Sequence, residues 1–234
     1  MLRWPVPLQT AKRSRGPEIR GAMILVLLGP PGCGKGTQSE FLARHFDIPA
    51  ISTGEMIRTE CEAGTDLGKL ACTVVASGGL VGDDVVNRIV AARIARPDCS
   101  RGFVLDGYPR TLAQAQALAA LIRQRELPDP LVLHLSVADS VLVEPLCARR
   151  QCPRCKRIYN VISHAPRTPG RCDHDDAELM ARDDDREPVI RRRLEAYKRQ
   201  TRPVLQYYGR ALVRQVDCTA ARQQVAEAIR RAVT

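Results

Sequence analysis

Met23-Ile-Leu-Val-Leu-Leu-Gly-Pro-Pro-Gly-Cys-Gly-Lys-Gly-Thr37 decides the fold. Its unbroken apolar start reads as a strand buried on both faces. A glycine-rich turn of the form G-x-x-x-x-G-K follows, then Gly36 and Thr37, which puts the hydroxyl one residue later than its usual place. Gly32, Gly34 and Gly36, with Cys33 among them, let the backbone turn tightly and aim N–H groups inward. The helix that opens at this point adds its dipole, which together make an anion cradle. Lys35 supplies a point charge to β- and γ-phosphates, and the Thr37 hydroxyl can serve phosphate or metal. A glycine turn with a surface lysine is the bland alternative, but a strand before it and a helical pattern after it argue for phosphate.

Outward from this stretch, short aliphatic runs alternate with helical periodicity. The runs fall at 24–28, 102–106, 131–137 and 212–216, with a shorter one near 49–52, and read as five strands. Helical patterns fall at 36–46, 54–63, 66–77, 83–95, 111–124, 139–150, 187–208 and 220–232. Such alternation predicts an α/β fold, a parallel sheet flanked by helices. Residues 151–185 break the rhythm: polar, with Pro, Gly and Cys and no long apolar run, they are too long for an ordinary connection and read as an inserted module.

The chain has 234 residues, enough for one domain with insertions, and 44% hydrophobic but only 4% aromatic residues, which suits an aliphatic core. No apolar run reaches the roughly 18 residues that span a bilayer, so a soluble protein without a membrane partner is expected. Nine cysteines are an odd number, and no secretory signal precedes them, which favours a reducing, cytoplasmic setting over a disulfide scaffold. The net charge is +10, of which residues 1–22 carry +4. A basic surplus suits nucleic acid or a membrane surface, and equally a site that holds several phosphates. Residues 1–22 lack periodicity and contain Pro5, Pro7 and Pro17; they read as a disordered tail or a misplaced start ahead of Met23, with a targeting peptide or a nucleic-acid arm as lesser readings.

Cys152-Pro-Arg-Cys155, sixteen residues, then Cys172-Asp-His-Asp175 has the spacing of a tetrahedral zinc ribbon, with Asp175 where a fourth cysteine would stand. His174 is too close to Cys172 to make a comfortable corner. Four protein ligands leave no place for water, so the metal would be structural. Cys61, Cys72, Cys99, Cys147 and Cys218 show no pairing logic and read as small core or surface residues.

Further motifs stand in a definite order: Ile51-Ser-Thr-Gly-Glu-Met-Ile-Arg58, Gly78-Gly-Leu-Val81 with Asp83, Asp106-Gly-Tyr-Pro-Arg-Thr111 with Gln114, then Arg182-Asp-Asp-Asp185 and Arg193. From Met23 onward the chain resembles the adenylate kinases of the nucleoside monophosphate kinase family, in the long form with a zinc-type lid. The resemblance implies a P-loop core of five parallel strands (23–51, 82–150 and 186–234), a helical AMP-binding flap (52–81) and a zinc-ribbon-like lid (151–185). It implies an ATP:AMP phosphotransferase that uses Mg²⁺, makes two ADP by direct in-line transfer and works as a monomer. Asp106 would hold Mg²⁺ through water. Glu55 stands where the family usually has Asp. Arg58 and Arg110 would grip the AMP phosphate, while Arg149, Arg182 and Arg193 would converge on the transferring group, beside Lys35 and Thr37 on the ATP side. Thr53, Gly79, Leu80, Val81, Gly107, Tyr108, Pro109 and Gln114 would complete the AMP site, Thr53 and Gln114 matching the adenylate rather than the pyrimidine pattern.

The donor-base end departs from the family. Pro145 replaces an arginine that usually stacks on the ATP adenine, inside the apparent helix 139–150, and Cys218 and Ala220 replace Gly and Lys. Ile158 and Tyr159 remain to sandwich the base. A UMP/CMP kinase is the alternative within the family. A zinc-ribbon nucleic-acid binder and a nucleotide sensor without turnover are the alternatives outside it. A complete motif set and the scarcity of aromatics argue against the first, so no nucleic-acid partner is expected, and intact Lys35, Asp106 and the arginines argue against the second.

Overall fold

A computed structural model describes residues 22–138 and 141–233, so the expected tail lies, but for Ala22, outside the described residues. Five strands, β1 (Met23–Leu28), β2 (Ala50–Ser52), β3 (Gly102–Asp106), β4 (Leu131–Ser136) and a fifth that closes the core, Val213–Asp217, form one sheet. Its order runs β2, β3, β1, β4 and then the Val213–Asp217 strand, with every pair parallel, as predicted.

Because successive strand residues face opposite sides, the apolar run of β1 feeds two cores. Ile24, Val26 and Leu28 pack with Phe103 and Leu105 against one helical layer, while Leu25 and Leu27 pack with Val104, Leu133 and Leu135 against the other. The first layer takes α2 (Thr53–Glu62), α3 (Asp66–Ala76), α4 (Asp83–Ile94) and α5 (Leu112–Gln124); the second takes α1 (Lys35–Phe46). Cys61 on α2 and Cys72 on α3 are joined as a disulfide with Cα atoms 5.6 Å apart, a pairing the sequence did not suggest. The turn at 63–65 folds the two helices side by side and brings the thiols together.

Two helical predictions are corrected. Within 139–150 only α6 (Val143–Cys147) is helical among the described residues, and β5 (Arg149–Gln151) then begins a hairpin with β6 (Ile158–Asn160). Pro145 therefore sits in a first turn, where its missing N–H has no intrahelical partner to lose. The span 187–208 is broken: α7 (Glu187–Ala196) passes through a π-helical turn, where Arg202 N–H reaches Tyr197 O at 2.8 Å, into α8 (Val204–Leu212). Pro203 precedes α8, since its ring cannot continue a regular ladder. The closing strand Val213–Asp217 is β7, and α9 (Arg222–Val233) packs on the second core. Among the described residues no helix is long and apolar enough to cross a membrane.

Candidate active site and metal-ligand cluster

A cavity of about 940 Å³ opens at the carboxyl ends of the parallel strands, where loops leave the sheet in an open α/β fold. The Gly29–Lys35 turn forms its floor. Gly32 and Gly34 have φ of 86° and 89°, a conformation that residues with a Cβ rarely adopt, so the tight turn depends on them. Lys35 opens α1 and folds its ammonium back over the loop, donating to the Gly29 and Pro30 carbonyls at 2.8 Å each. Burial pushes the Cys33 thiol up, so it lines the floor as a neutral group. Asp106, the last residue of β3, faces the loop: a Cβ on Gly36 would lie 3.6 Å from its Oδ2. Thr37 also lines the cavity.

Five arginines converge above this floor. A Cβ on Gly54 would lie 3.4 Å from Arg58 and 3.8 Å from Arg110, so these two guanidinium groups meet over the start of α2. Arg110 is held by its Nε–H on Gly107 O at 2.8 Å. Arg149 makes a two-pronged pair with Asp185, its Nε at 2.7 Å from Oδ2 and its Nη2 against Oδ1. Arg193 reaches Asp184 Oδ2 at 3.0 Å and Asp185 Oδ1 at 3.3 Å. Arg182 has no carboxylate at such range among the described residues; its Nε donates to Gln151 Oε1 at 2.7 Å.

The electrostatics record this crowding. Burial, then Arg193 and Arg58, brings Arg110 down to about 10. Burial, then Arg149 and Arg58, brings Arg182 down to about 9. Burial also lowers Arg193, with Arg149 and Arg58 adding to it. Asp184 moves the other way: burial opposes its charge, but Arg193 and Arg149 outweigh burial and hold its carboxyl below the usual range. Positive charge gathered in excess out of water is what polyanion binding requires.

Asp184 and Asp185 were quoted in the sequence only as part of a motif, yet they anchor Arg149 and Arg193 from a nearly fully buried position. An acidic run between basic residues looks like solvated surface; the burial of α7 beside it was the missing signal.

On the other side of the cavity, Thr53 donates to Gly107 O at 2.8 Å, and Gly79, Leu80 and Val81 form a wall. Gln114 is locked at both ends, its Nε2 donating to Asp83 at 2.8 Å and its Oε1 accepting from Arg110 N at 2.7 Å. An amide carries two hydrogens and two lone pairs, so each end retains one for a base edge. Gly107 and Pro109 line the cavity, and the Tyr108–Pro109 peptide is cis. Tyr108 itself is corrected: its ring lies in the core and its hydroxyl donates to Asn87 at 2.8 Å, away from the cavity.

Ile158 and Tyr159 both line the cavity, but from different sides of their strand. Adjacent on a strand, they face opposite ways: Ile158 is exposed toward the cavity rim, whereas the Tyr159 ring is buried among Cys152, Cys172 and Leu179. Val141, Leu142, Pro145, Cys218 and Ala220 line the same end of the cavity.

The module after β5 is built from two matching corners. In one, Cys152 N–H bonds Arg157 O at 2.9 Å and Lys156 N–H bonds Cys152 O at 3.1 Å. In the other, Cys172 N–H bonds Ala177 O and Asp176 N–H bonds Cys172 O, both at 2.9 Å. Lys156 and Asp176, at equivalent positions, both take left-handed φ, 61° and 55°. The corners present Cys152, Cys155, Cys172 and Asp175 with ligand atoms all within 4.8 Å of one another. His174 is exposed and outside this set.

Against known proteins, a family model described as "Adenylate kinase" matches residues 27–213. An "Adenylate kinase" of Anaeromyxobacter sp. (strain Fw109-5) is 46% identical over 187 residues, covering 80% of this chain and 87% of the relative. One of Symbiobacterium thermophilum is 46% identical over 212 residues, covering 90% and 98%. One of Methanothrix thermoacetophila is 44% identical over 189 residues, covering 81% and 87%. With P-loop, parallel sheet and arginine-lined cavity in one chain, these matches make it a member of the adenylate kinase family.

Proposed function

We propose that this chain transfers the terminal phosphoryl group of Mg·ATP to AMP, giving two ADP. The observation that carries the reading is the convergence of Lys35, Arg58, Arg110, Arg149, Arg182 and Arg193 on one cavity that also holds the P-loop. Phosphoryl transfer needs little covalent chemistry from a protein; it needs in-line placement and neutralisation of charge on the transferring group. Lys35 and the Gly32–Thr37 backbone bind the donor phosphates. Arg58 and Arg110 bind the AMP phosphate, with Thr53, Gln114 and the Gly79–Val81 wall around the adenine. Arg149, Arg182 and Arg193 draw the two phosphate chains together. Asp106 would hold Mg²⁺ through water, and the ion would supply charge neutralisation for the donor phosphates.

The four-ligand cluster fits structural Zn²⁺. Thiolates at about 2.3 Å from a tetrahedral metal lie roughly 3.8 Å apart; here Cys155 and Cys172 sulfurs are 3.4 Å apart, and Cys152 Sγ lies 3.2 Å from Asp175. Residues 52–81 act as the AMP flap and 151–185 as the lid on a core of 23–51, 82–150 and 186–234. A cytoplasmic monomer without nucleic-acid or membrane partners completes the reading.

A coupled assay of ADP formation from ATP and Mg²⁺ with AMP, UMP, CMP or GMP tests it. AMP should be turned over fastest. Faster turnover of UMP or CMP transfers the chain to the pyrimidine kinases, and no turnover of any acceptor removes the activity.

A further inference from the structure

We infer that Gln151 is a positioning residue for phosphoryl transfer, which aims Arg182 at the transferring group while leaving its charge unspent. The inference rests on the proposed kinase reading and concerns Arg182, which, of the three arginines Arg149, Arg182 and Arg193, is the one held by a neutral side chain. Arg149 and Arg193 are both anchored by buried carboxylates, Asp185 and Asp184. Each of those arginines therefore offers phosphate a charge already partly compensated. Arg182 is held by an amide oxygen instead, at 2.7 Å from its Nε.

Gln151 is well made for this. Its own amide is fixed, because Nε2 donates to Lys156 O at 3.0 Å. A carbonyl can only accept and a guanidinium can only donate, so the two contacts together set which end of the amide faces Arg182. The backbone is fixed too: Gln151 N–H bonds Met180 O at 2.8 Å, and Met180 N–H bonds Gln151 O at 3.0 Å. Arg182 lies two residues beyond Met180, so the short bridge that joins the two strands also sets the distance that the side chains must span. With Nε engaged, the plane of the guanidinium is set and its two terminal nitrogens point onward, a fork suited to phosphate oxygens. Gln151 immediately precedes Cys152, and Lys156 immediately follows Cys155. The amide thus ties the first metal corner to the arginine nearest it. Burial and the neighbouring Arg149 and Arg58 charges already disfavour the Arg182 cation; a carboxylate in place of the amide would relieve that stress and remove the excess charge that the substrate phosphates should relieve.

The test is a double-mutant cycle on kcat in the full chain, with zinc content and melting temperature measured on every variant. Gln151→Met should lower kcat about tenfold with KM for AMP changed less than twofold. In an Arg182→Lys background, where the Nε–H is gone, the same substitution should cost less than twofold, because coupled residues are not additive. Gln151→Glu, which keeps the acceptor but supplies a charge, should lower kcat while raising the melting temperature of the unliganded protein. An equal loss in both backgrounds, an unchanged kcat in Gln151→Met, a fully active Gln151→Glu, or a loss that appears only together with zinc release each overturns the inference. If the unmodified chain does not phosphorylate AMP, the kinase reading itself fails, which is a separate outcome.

Discussion

Lys156 in the cysteine-bearing module donates to both carboxylate oxygens of Glu62 at the end of α2, at 2.7 and 2.9 Å. Ninety-four positions apart in the chain, they join the helical insertion to the cysteine-bearing one across the mouth of the cavity. The pair is a tie between the two covers. It is half-exposed, so it is worth at most about 1 kcal/mol and is screened by salt. Lys156→Met should raise KM for both nucleotides about two- to threefold, and 0.5 M salt (an ionic strength at which the screening length falls to roughly 4 Å) should abolish the difference from the parent. A tenfold effect, or one that salt leaves intact, would show that Lys156 does more than hold the covers together.

The Lys35 ammonium hydrogen-bonds to loop carbonyls and the Cys33 sulfur. Its removal leaves those carbonyls open to water, so folding should survive. Lys35→Met should lower kcat at least 100-fold, about 2.7 kcal/mol, with a melting temperature within a few degrees of the parent. Retention of a tenth of the activity removes Lys35 from the mechanism.

Arg182 should show a trade between stability and activity. Its cation is disfavoured in the folded state, where its pKa falls to about 9 through burial and then the Arg149 and Arg58 charges. A base whose folded pKa lies below its unfolded value costs stability at lower pH, and the cost is relieved as pH rises past the folded value. Arg182→Met should therefore raise the melting temperature of the unliganded protein at pH 7 by roughly 2–4 °C, the shift expected of about 1 kcal/mol in a chain of this size. That gain should shrink above pH 9, and turnover should fall by about 10³. A variant less stable than the parent at pH 7 would show that Arg182 is fully compensated before substrate arrives.

The metal corners should matter for integrity rather than for chemistry. The small cluster of Cys152, Tyr159, Cys172, Ala177 and Leu179 is the buried apolar content of its module among the described residues. Apparent zinc binding of about 10–16 kcal/mol can supply what such a core lacks. Cys152→Ser should release metal and lower the melting temperature, yet retain turnover in the cold; Asp175→Cys should keep about one zinc per chain by metal analysis. Protein purified without chelator that contains no zinc, or a Cys152→Ser chain that is stable but inactive, would overturn the assignment.

The sheet was legible because β1 and β3 are buried on both faces and so appear as solid aliphatic runs, while the phosphate loop carries its chemistry in consecutive residues. The metal corners were legible for the same reason of local spacing. What escaped was side-chain direction and long-range partnership. Tyr108 stands in the loop after β3 and Tyr159 on β6, both beside the cavity, but packing turns their rings into cores. Asp184 and Asp185 gain their meaning from Arg149, over thirty positions away, and Gln151 from Arg182, thirty-one positions away. The Cys61–Cys72 pairing needs a helical hairpin that no local signal announces. The end of the helical pattern near 147 was hidden because Arg149 and Arg150 suit a helix as well as a strand until Asn160 and Tyr159 pair with them.

The hairpin β5–β6 has a mechanical consequence. Its root, not its tip, carries cavity-lining arginines: Arg149 begins the outgoing strand, and Arg182 follows the returning segment two residues after the Met180 bridge. The module is a lever loaded at its fulcrum. Any rotation about that root would carry a fraction of an ångström of travel at the two guanidinium groups out along the arm into a larger sweep of the cysteine-bearing end.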